Sequence, residues 1–337
     1  MRKKTFYPIF LLMLICICTS FFYGCSTNNK TAVKKIKLNE VVRSVFYAPF
    51  YVAVNNGYFK EEGLDIDLSI GQGADKTMQE VLSKNADIGF CGPEQSIYIH
   101  NQNKEDYPVV FAQLTQRDGS FLVGRKEEKN FKWEELKGKT IIGARPGGVP
   151  EMTLEYVLKK HGLNPKKDVK IITNLQFNAT AEAFKAGTGD YVALFEPTAS
   201  ILKQTGSGYI ESSIGAEAGP LPYTCYFTTK SYLDKNKDTL VKFTKAIYKG
   251  QNWIESNSDN KVAEKIKSFF PGTDVKLIAQ NVNNYKKVNA FALNPKINKA
   301  DINRLMDIIE GYQKDLIKKR PAFNKLVNTD IAEEATK

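Results

Sequence analysis

Between Ala48 and Ser96 the spacing of apolar residues switches repeatedly between helical and extended periods, and this alternation narrows the possible folds sharply. Tyr51-Val52-Ala53-Val54 reads as a short helix that Gly57 ends. Leu64-Asp65-Ile66-Asp67-Leu68 alternates apolar and polar residues, the period-2 pattern of a half-buried strand. Met78, Val81 and Leu82 stand at i, i+3 and i+4, on one helical face. Asp87-Ile88-Gly89-Phe90 is the next strand, and Cys91-Gly92-Pro93-Glu94-Gln95-Ser96 reads as a turn after it. Ligands of open α/β sheets gather outside the carboxyl ends of the strands, which draws attention to this turn and to the loop before Ala48.

The same rhythm continues along the chain. Val109-Val110-Phe111-Ala112-Gln113-Leu114 is a buried-strand pattern, and the polar run that follows suggests a crossing into a second unit near Arg117 to Ser120. Thr140-Ile141-Ile142-Gly143, Val169-Lys170-Ile171-Ile172 and Tyr191-Val192-Ala193-Leu194-Phe195 read as strands. Leu154, Val157 and Leu158 mark the inner face of a helix that Pro150 and Glu151 open. Thr205 to Gly208 and Gly215 to Pro220 read as glycine-rich connection, returning to the first unit through Pro222-Tyr223-Thr224. Two apolar stripes follow, Leu240/Phe243/Ile247/Ile254 and Ile302/Leu305/Met306/Ile309/Leu316, the pattern of helices packed on a sheet. The expectation is two α/β domains, residues 36–118 with 223–337 and residues 119–222, joined by a hinge of two crossovers.

The start of the chain differs in kind. Arg2, Lys3 and Lys4 precede a short, nearly all apolar run, Phe6 to Thr19, followed by Gly24-Cys25, as in an export signal. The Gly24-Cys25 end resembles a bacterial lipoprotein cleavage site, which would make residues 1–24 a lipoprotein signal peptide, Cys25 the lipidated first residue and residues 25–35 a polar tether. Cleavage there removes three cations and no acids, taking the formal charge from +11 to +8. The remaining lysines are scattered among acids, as in Lys126-Glu127-Glu128-Lys129, and no nucleic-acid-binding motif accompanies them. Cys91 and Cys225 would remain after processing; two buried free thiols are favoured over a disulfide. His100 and His161 are the only histidines, and neither has a metal-ligand spacing with cysteine.

No catalytic or cofactor motif is visible. There is no GK[ST] phosphate loop and no G-x-S-x-G, and Gly71-Gln72-Gly73 lacks the third glycine of a dinucleotide fingerprint. Polar and aromatic residues instead recur at strand ends, as the lining of a ligand cleft requires. The first domain offers Phe46, Tyr47, Glu94, Gln95, Ser96, Thr115 and Arg117. The second offers Gly147, Gly148, Gln176, Phe177, Phe195 and Glu196, with Tyr223 on the return crossing. Backbone N–H groups at Gly147-Gly148-Val149, helped by Arg117 or Arg145, suit an anion. Glu94 and Glu196 oppose one, because a carboxylate repels an anion and accepts hydrogen bonds from amino groups.

The stretches APFYVAVNNGYFKEEGLDIDL, GADKTMQEVLSKNADIGFCGPE, GARPGGVPEMTLEYVLKKHGL, NLQFNATAEAFKAGTGDYVALFEPTAS and LPYTCYFTTK resemble, in this order, the substrate-binding proteins of ABC importers for nitrate, sulfonates, taurine and thiamine pyrimidine precursors. The resemblance spans roughly residues 36 to 315. It implies the type II periplasmic-binding-protein fold, a small-molecule ligand between the domains, a membrane permease as partner and no cofactor. With the two carboxylates and the aromatic residues, it suggests an aminated aromatic heterocycle of the thiamine-pyrimidine-precursor type. The alternatives are a sulfonate, nitrate, taurine or a flavin on the same scaffold. A further alternative is an enzyme resembling the eukaryotic pyrimidine synthase of this family, which consumes a pyridoxal cofactor and carries a cysteine-rich motif. Here the corresponding turn is Cys91-Gly92-Pro93-Glu94.

Overall fold

The computed structural model describes residues 33–337. The predicted export signal, Cys25 and the tether up to residue 32 lie outside the described residues. In chain order the strands are β1 (Lys34–Glu40), β2 (Leu64–Ile70), β3 (Ile88–Cys91), β4 (Pro108–Thr115), β5 (Ser120–Gly124), β6 (Thr140–Ile142), β7 (Lys170–Ile172), β8 (Tyr191–Phe195), β9 (Tyr209–Ser213) and β10 (Thr224–Thr229). They form two five-stranded sheets, ordered β2-β1-β3-β10-β4 and β7-β6-β8-β5-β9.

The two sheets share one plan. In the first, β1 runs parallel to β2 and β3, and β10 is antiparallel to both its neighbours. In the second, β6 runs parallel to β7 and β8, and β5 is antiparallel to both of its own. The fourth place in each sheet is therefore filled by a strand that has just arrived from the other sheet. Both sheets carry helices, and together they give a two-lobed α/β fold.

Burial explains the strand patterns. Every residue of β4, β5 and β10 is buried, which accounts for continuous apolar runs such as Val109-Val110-Phe111-Ala112. Full burial of each such side chain contributes about 1.5–3 kcal/mol. β2 lies at a sheet edge and keeps its apolar–polar alternation.

In the helix Lys237–Glu255, Leu240, Phe243, Ile247 and Ile254 face the core, as their spacing predicts. This helix crosses the helix Ala48–Asn55 so closely that a Cβ at Gly250 would lie 2.2 Å from the Pro49 carbonyl oxygen. Gly250→Ala should therefore cost about 1–3 kcal/mol through overpacking. Urea unfolding checks this, and an unchanged midpoint would mean that the two helices separate freely.

Ile302, Leu305, Met306 and Ile309 are buried along the helix Lys299–Tyr312, whereas Leu316 falls past its end in a separate short turn. This helix packs against the helix Val149–Lys160, and Lys159 Nζ donates to the Gly311 carbonyl at 2.6 Å. Part of the C-terminal tail thus rests on the lobe of the second sheet. No helix among the described residues is long and apolar enough to cross a membrane.

Two local expectations are corrected. Glu94, Gln95 and Ser96 do not lie in a turn: the helix Glu94–His100 starts there, with Pro93 at its cap. Gly-Pro reads as a turn, yet proline before a first-turn acid also opens a helix well. Of the two glycine-rich stretches read as connection, Gly215 to Pro220 overlaps the short helix Ile214–Ala218, and β9 lies between them. β9 escapes notice because it is an edge strand in which every residue is half-buried, so Tyr-Ile-Glu-Ser-Ser carries no apolar run.

Candidate ligand-binding cleft

Phe46 and Tyr47 follow β1 in a single helical turn, Val45–Tyr47, which Ser44 caps by accepting from the Phe46 N–H at 3.2 Å. Phe195 ends β8 in the other lobe, and Tyr223 precedes β10 on the return crossing. These separate elements bring their rings into one cluster around Phe46. Its centroid lies 5.8 Å from Tyr47, 6.0 Å from Phe195, 5.6 Å from Tyr223 and 4.9 Å from Tyr285. Phe177 extends the cluster outward, 5.6 Å from Phe195 and 46% exposed. Beside these two rings, Ser120, Arg145 and Pro150 help to line a small pocket.

Among the buried polar atoms without a hydrogen-bond partner are Glu94 Oε2 and Ser96 Oγ at the start of the helix Glu94–His100 and Arg117 Nε on the first crossing. Each such atom costs about 1–3 kcal/mol when left unsatisfied, and a ligand is one source of the missing partner. Asp118 on the first crossing and the Tyr223 hydroxyl on the second interact with each other.

Electrostatics at these groups follow from burial. Removal from water pushes the Glu94 carboxyl up to about 7, against a weaker opposing effect from Gln95, whose Nε2 donates to Oε1 at 3.2 Å. Gly92 leaves room for this carboxylate, since a Cβ there would fall 1.9 Å from Oε2. Burial likewise raises Asp118 to about 6, although Ser120 donates to its Oδ1 through both backbone N–H and hydroxyl. The Tyr223 phenol is held far above its ordinary range, by burial first and then by the Asp118 charge.

Glu196 is placed differently. Its Oε2 accepts from the Ser200 N–H at 2.9 Å, and Oε1 accepts from Ser200 Oγ at 2.8 Å and Asn284 Nδ2 at 2.7 Å. The Glu196 N–H donates to Tyr285 Oη at 3.0 Å, and Ser44 Oγ donates to its carbonyl at 3.2 Å. Glu196 thus joins the end of β8 to three residues of the first sheet's lobe. Burial raises its carboxyl above the usual range, while Asn284 and Ser200 pull the other way.

Two further contacts span the lobes. Arg145 Nη1 and Asp75 Oδ1 are 3.2 Å apart, and Tyr98 Oη donates to the Gly147 carbonyl at 2.9 Å. Both partners of the ion pair are about half exposed, so it contributes only about 0–1 kcal/mol. Arg145→Ala should accordingly change ligand affinity by less than about fivefold. A loss far beyond that in a titration would instead place Arg145 on the ligand.

The remaining predicted residues are spread more widely. Thr115 ties the crossings together, its Oγ1 accepting from the Thr224 N–H at 3.0 Å. Arg117 Nη1 donates to the Gly215 carbonyl at 3.4 Å. Gly148 caps the helix Val149–Lys160, and Gln176 sits on an exposed turn. Asp118, Asn284 and Tyr285 escaped the sequence reading. Asn284 and Tyr285 lie 88 and 89 residues from Glu196 on a helix with no local mark of a site. Among the described residues, no group of three or more His, Cys, Asp or Glu side chains is placed to hold a metal ion.

With this geometry in hand, likeness to known proteins becomes informative. The Bacillus subtilis strain 168 protein named "Putative binding protein YtlA" is 44% identical over 328 residues, covering 97% of this chain and 95% of its own. The formylaminopyrimidine-binding protein of Halalkalibacterium halodurans is 26% identical over 266 residues, covering 76% of this chain and 77% of its own. The alkanesulfonate-binding protein SsuA of Xanthomonas axonopodis pv. citri, solved with MOPS bound, superposes with a TM-score of 0.69 at 14% identity, over 88% of this chain and 98% of its own. The family described as NMT1/THI5 like matches residues 45–260, well over half of the sequence. The chain is therefore a member of the NMT1/THI5-like family, built on the fold of periplasmic substrate-binding proteins.

Proposed function

We propose that this protein is the extracytoplasmic substrate-binding lipoprotein of an ABC importer, and that its ligand is a small aminated aromatic heterocycle of the thiamine-pyrimidine-precursor type. The observation that carries the ligand class is Glu94 Oε2, a buried carboxylate oxygen with no protein partner. It lies close enough to Tyr47 and Tyr223, two members of the aromatic cluster, for its charge to raise both phenols. A ligand amino group satisfies such an oxygen, and a flat ring among aromatic side chains gains about 0.5–1.5 kcal/mol per pair beyond area burial. The name of the Halalkalibacterium halodurans relative supports the same class.

In this reading residues 36–118 with 223–337 form one jaw and residues 119–222 the other, and the two crossings act as the hinge. Ligand meets one jaw first, and closure is favoured by contacts made only when both jaws engage. Glu196, with Ser44, Asn284 and Tyr285, supplies such contacts. A lipid on Cys25 would hold the closed form near its permease at raised effective concentration. The protein binds and releases its ligand unchanged.

A sulfonate is the second reading, supported by the unpaired Arg117 Nε. Calorimetric titration with aminopyrimidines and alkanesulfonates separates the two. Tight binding of a sulfonate with no heat from any aminopyrimidine would overturn the first.

A further inference from the structure

We propose that Cys91 and Cys225 form a redox-active pair, able to close an intramolecular disulfide within the folded protein. The two residues stand directly opposite each other where β3 and β10 pair antiparallel. Opposed residues on antiparallel strands project from the same face, with Cα atoms about 4.5 or 5.5 Å apart according to the hydrogen-bonding pattern. Both spacings fall inside the 4.4–6.8 Å window, about, that a disulfide spans, so the bond can close without separating the strands. Both thiols are free and fully buried. Cys91 Sγ, a weak donor, donates to the Gly92 carbonyl at 3.4 Å.

The position gives the bond a consequence. Cys91 ends β3 three residues before Glu94, and Cys225 lies two residues after Tyr223. A link between them ties together the two chain segments that carry these polar groups, at the place where the return crossing enters the first sheet. It also closes a loop of more than a hundred residues, which restricts the unfolded chain.

The chemistry is a two-electron exchange with a disulfide or diazene oxidant. Two S–H bonds break and one S–S bond forms. Two protons and two electrons pass to the oxidant, leaving two thiols or a hydrazine. Burial holds both thiols well above their ordinary pKa, so thiolate is scarce and the reaction is slow until the site loosens.

The test treats the full chain, folded, with diamide, then alkylates remaining thiols in denaturant and digests with trypsin. The expected product is peptide 85–104 joined to peptide 204–230, lighter by two hydrogens than the sum of the reduced pair and separated by dithiothreitol. Cys225→Ser should abolish that species and leave Cys91 alkylated. Full alkylation of Cys91 and Cys225 in the wild-type chain after oxidation, or a disulfide between two chains in place of the internal one, would overturn the proposal. Because no ligand is added, the result does not depend on the ligand class proposed above.

Discussion

Glu196→Ala should weaken ligand binding by about 2–4 kcal/mol, roughly 30- to 700-fold, while leaving each lobe folded. The carboxylate is 1% exposed and accepts three hydrogen bonds, one of them from Asn284 across the lobes. Removing it strands buried donors on Ser200 and Asn284, and in the proposed closing motion this cost falls on the state in which Asn284 reaches Glu196. Closure is then less favourable and apparent affinity falls by the fraction of molecules that remain competent. Calorimetry on the variant gives the affinity, and small-angle scattering gives the proportion of closed form. Wild-type affinity together with a wild-type scattering curve would remove Glu196 from the closing mechanism.

A second large effect concerns Glu94 and pH. With its carboxyl near 7, the residue is about nine-tenths protonated at pH 6 and about one-tenth protonated at pH 8. The proposed amino ligand would be held by the ionised form, so binding below pH 7 must first expel a proton. Affinity should rise about tenfold from pH 6 to pH 8 and level off above, and Glu94→Gln should flatten the profile and bind weakly throughout. Titrations at fixed ionic strength across that range decide it; a flat wild-type profile would show that Glu94 does not meet the ligand.

The same burial has a consequence for stability, with the opposite sign. Glu94 and Glu40 are both pushed up from 4.5 to about 7, and Glu151 from 4.5 to about 8, in each case chiefly by burial. Between pH 4.5 and those values the folded chain keeps protons that the unfolded chain releases. Stability therefore falls as pH rises through this window and is flat with respect to these groups on either side. Thermal midpoints should be lower at pH 8 than at pH 5. A midpoint that rises over the same interval would contradict the burial of these three carboxyls.

Much of the fold was legible because its signals are local. The period of 2 in Leu64-Asp65-Ile66-Asp67-Leu68, the apolar run at 109–112 and the stripe Leu240/Phe243/Ile247/Ile254 each report which faces are wet, and burial follows them. β9 fails that test for the same reason, since an edge strand with half-buried residues has no dry face to advertise. Within the cleft, Phe46, Tyr47, Phe195 and Tyr223 could be picked out as aromatics at strand ends, and the fold collects them. Gln176 has the same credentials in sequence and lies on an exposed turn.

Local pattern in the chain indicated most of the strands and helices, because periodicity and turn chemistry act between near neighbours. Only the tertiary structure decided which distant residues meet. It set Asn284 and Tyr285 against Glu196, Arg145 against Asp75, and Cys225 opposite Cys91. Such pairings depend on how two sheets exchange a strand and how a C-terminal helix folds back over them. Residues tens to hundreds of positions apart carry no local pattern that records such a meeting.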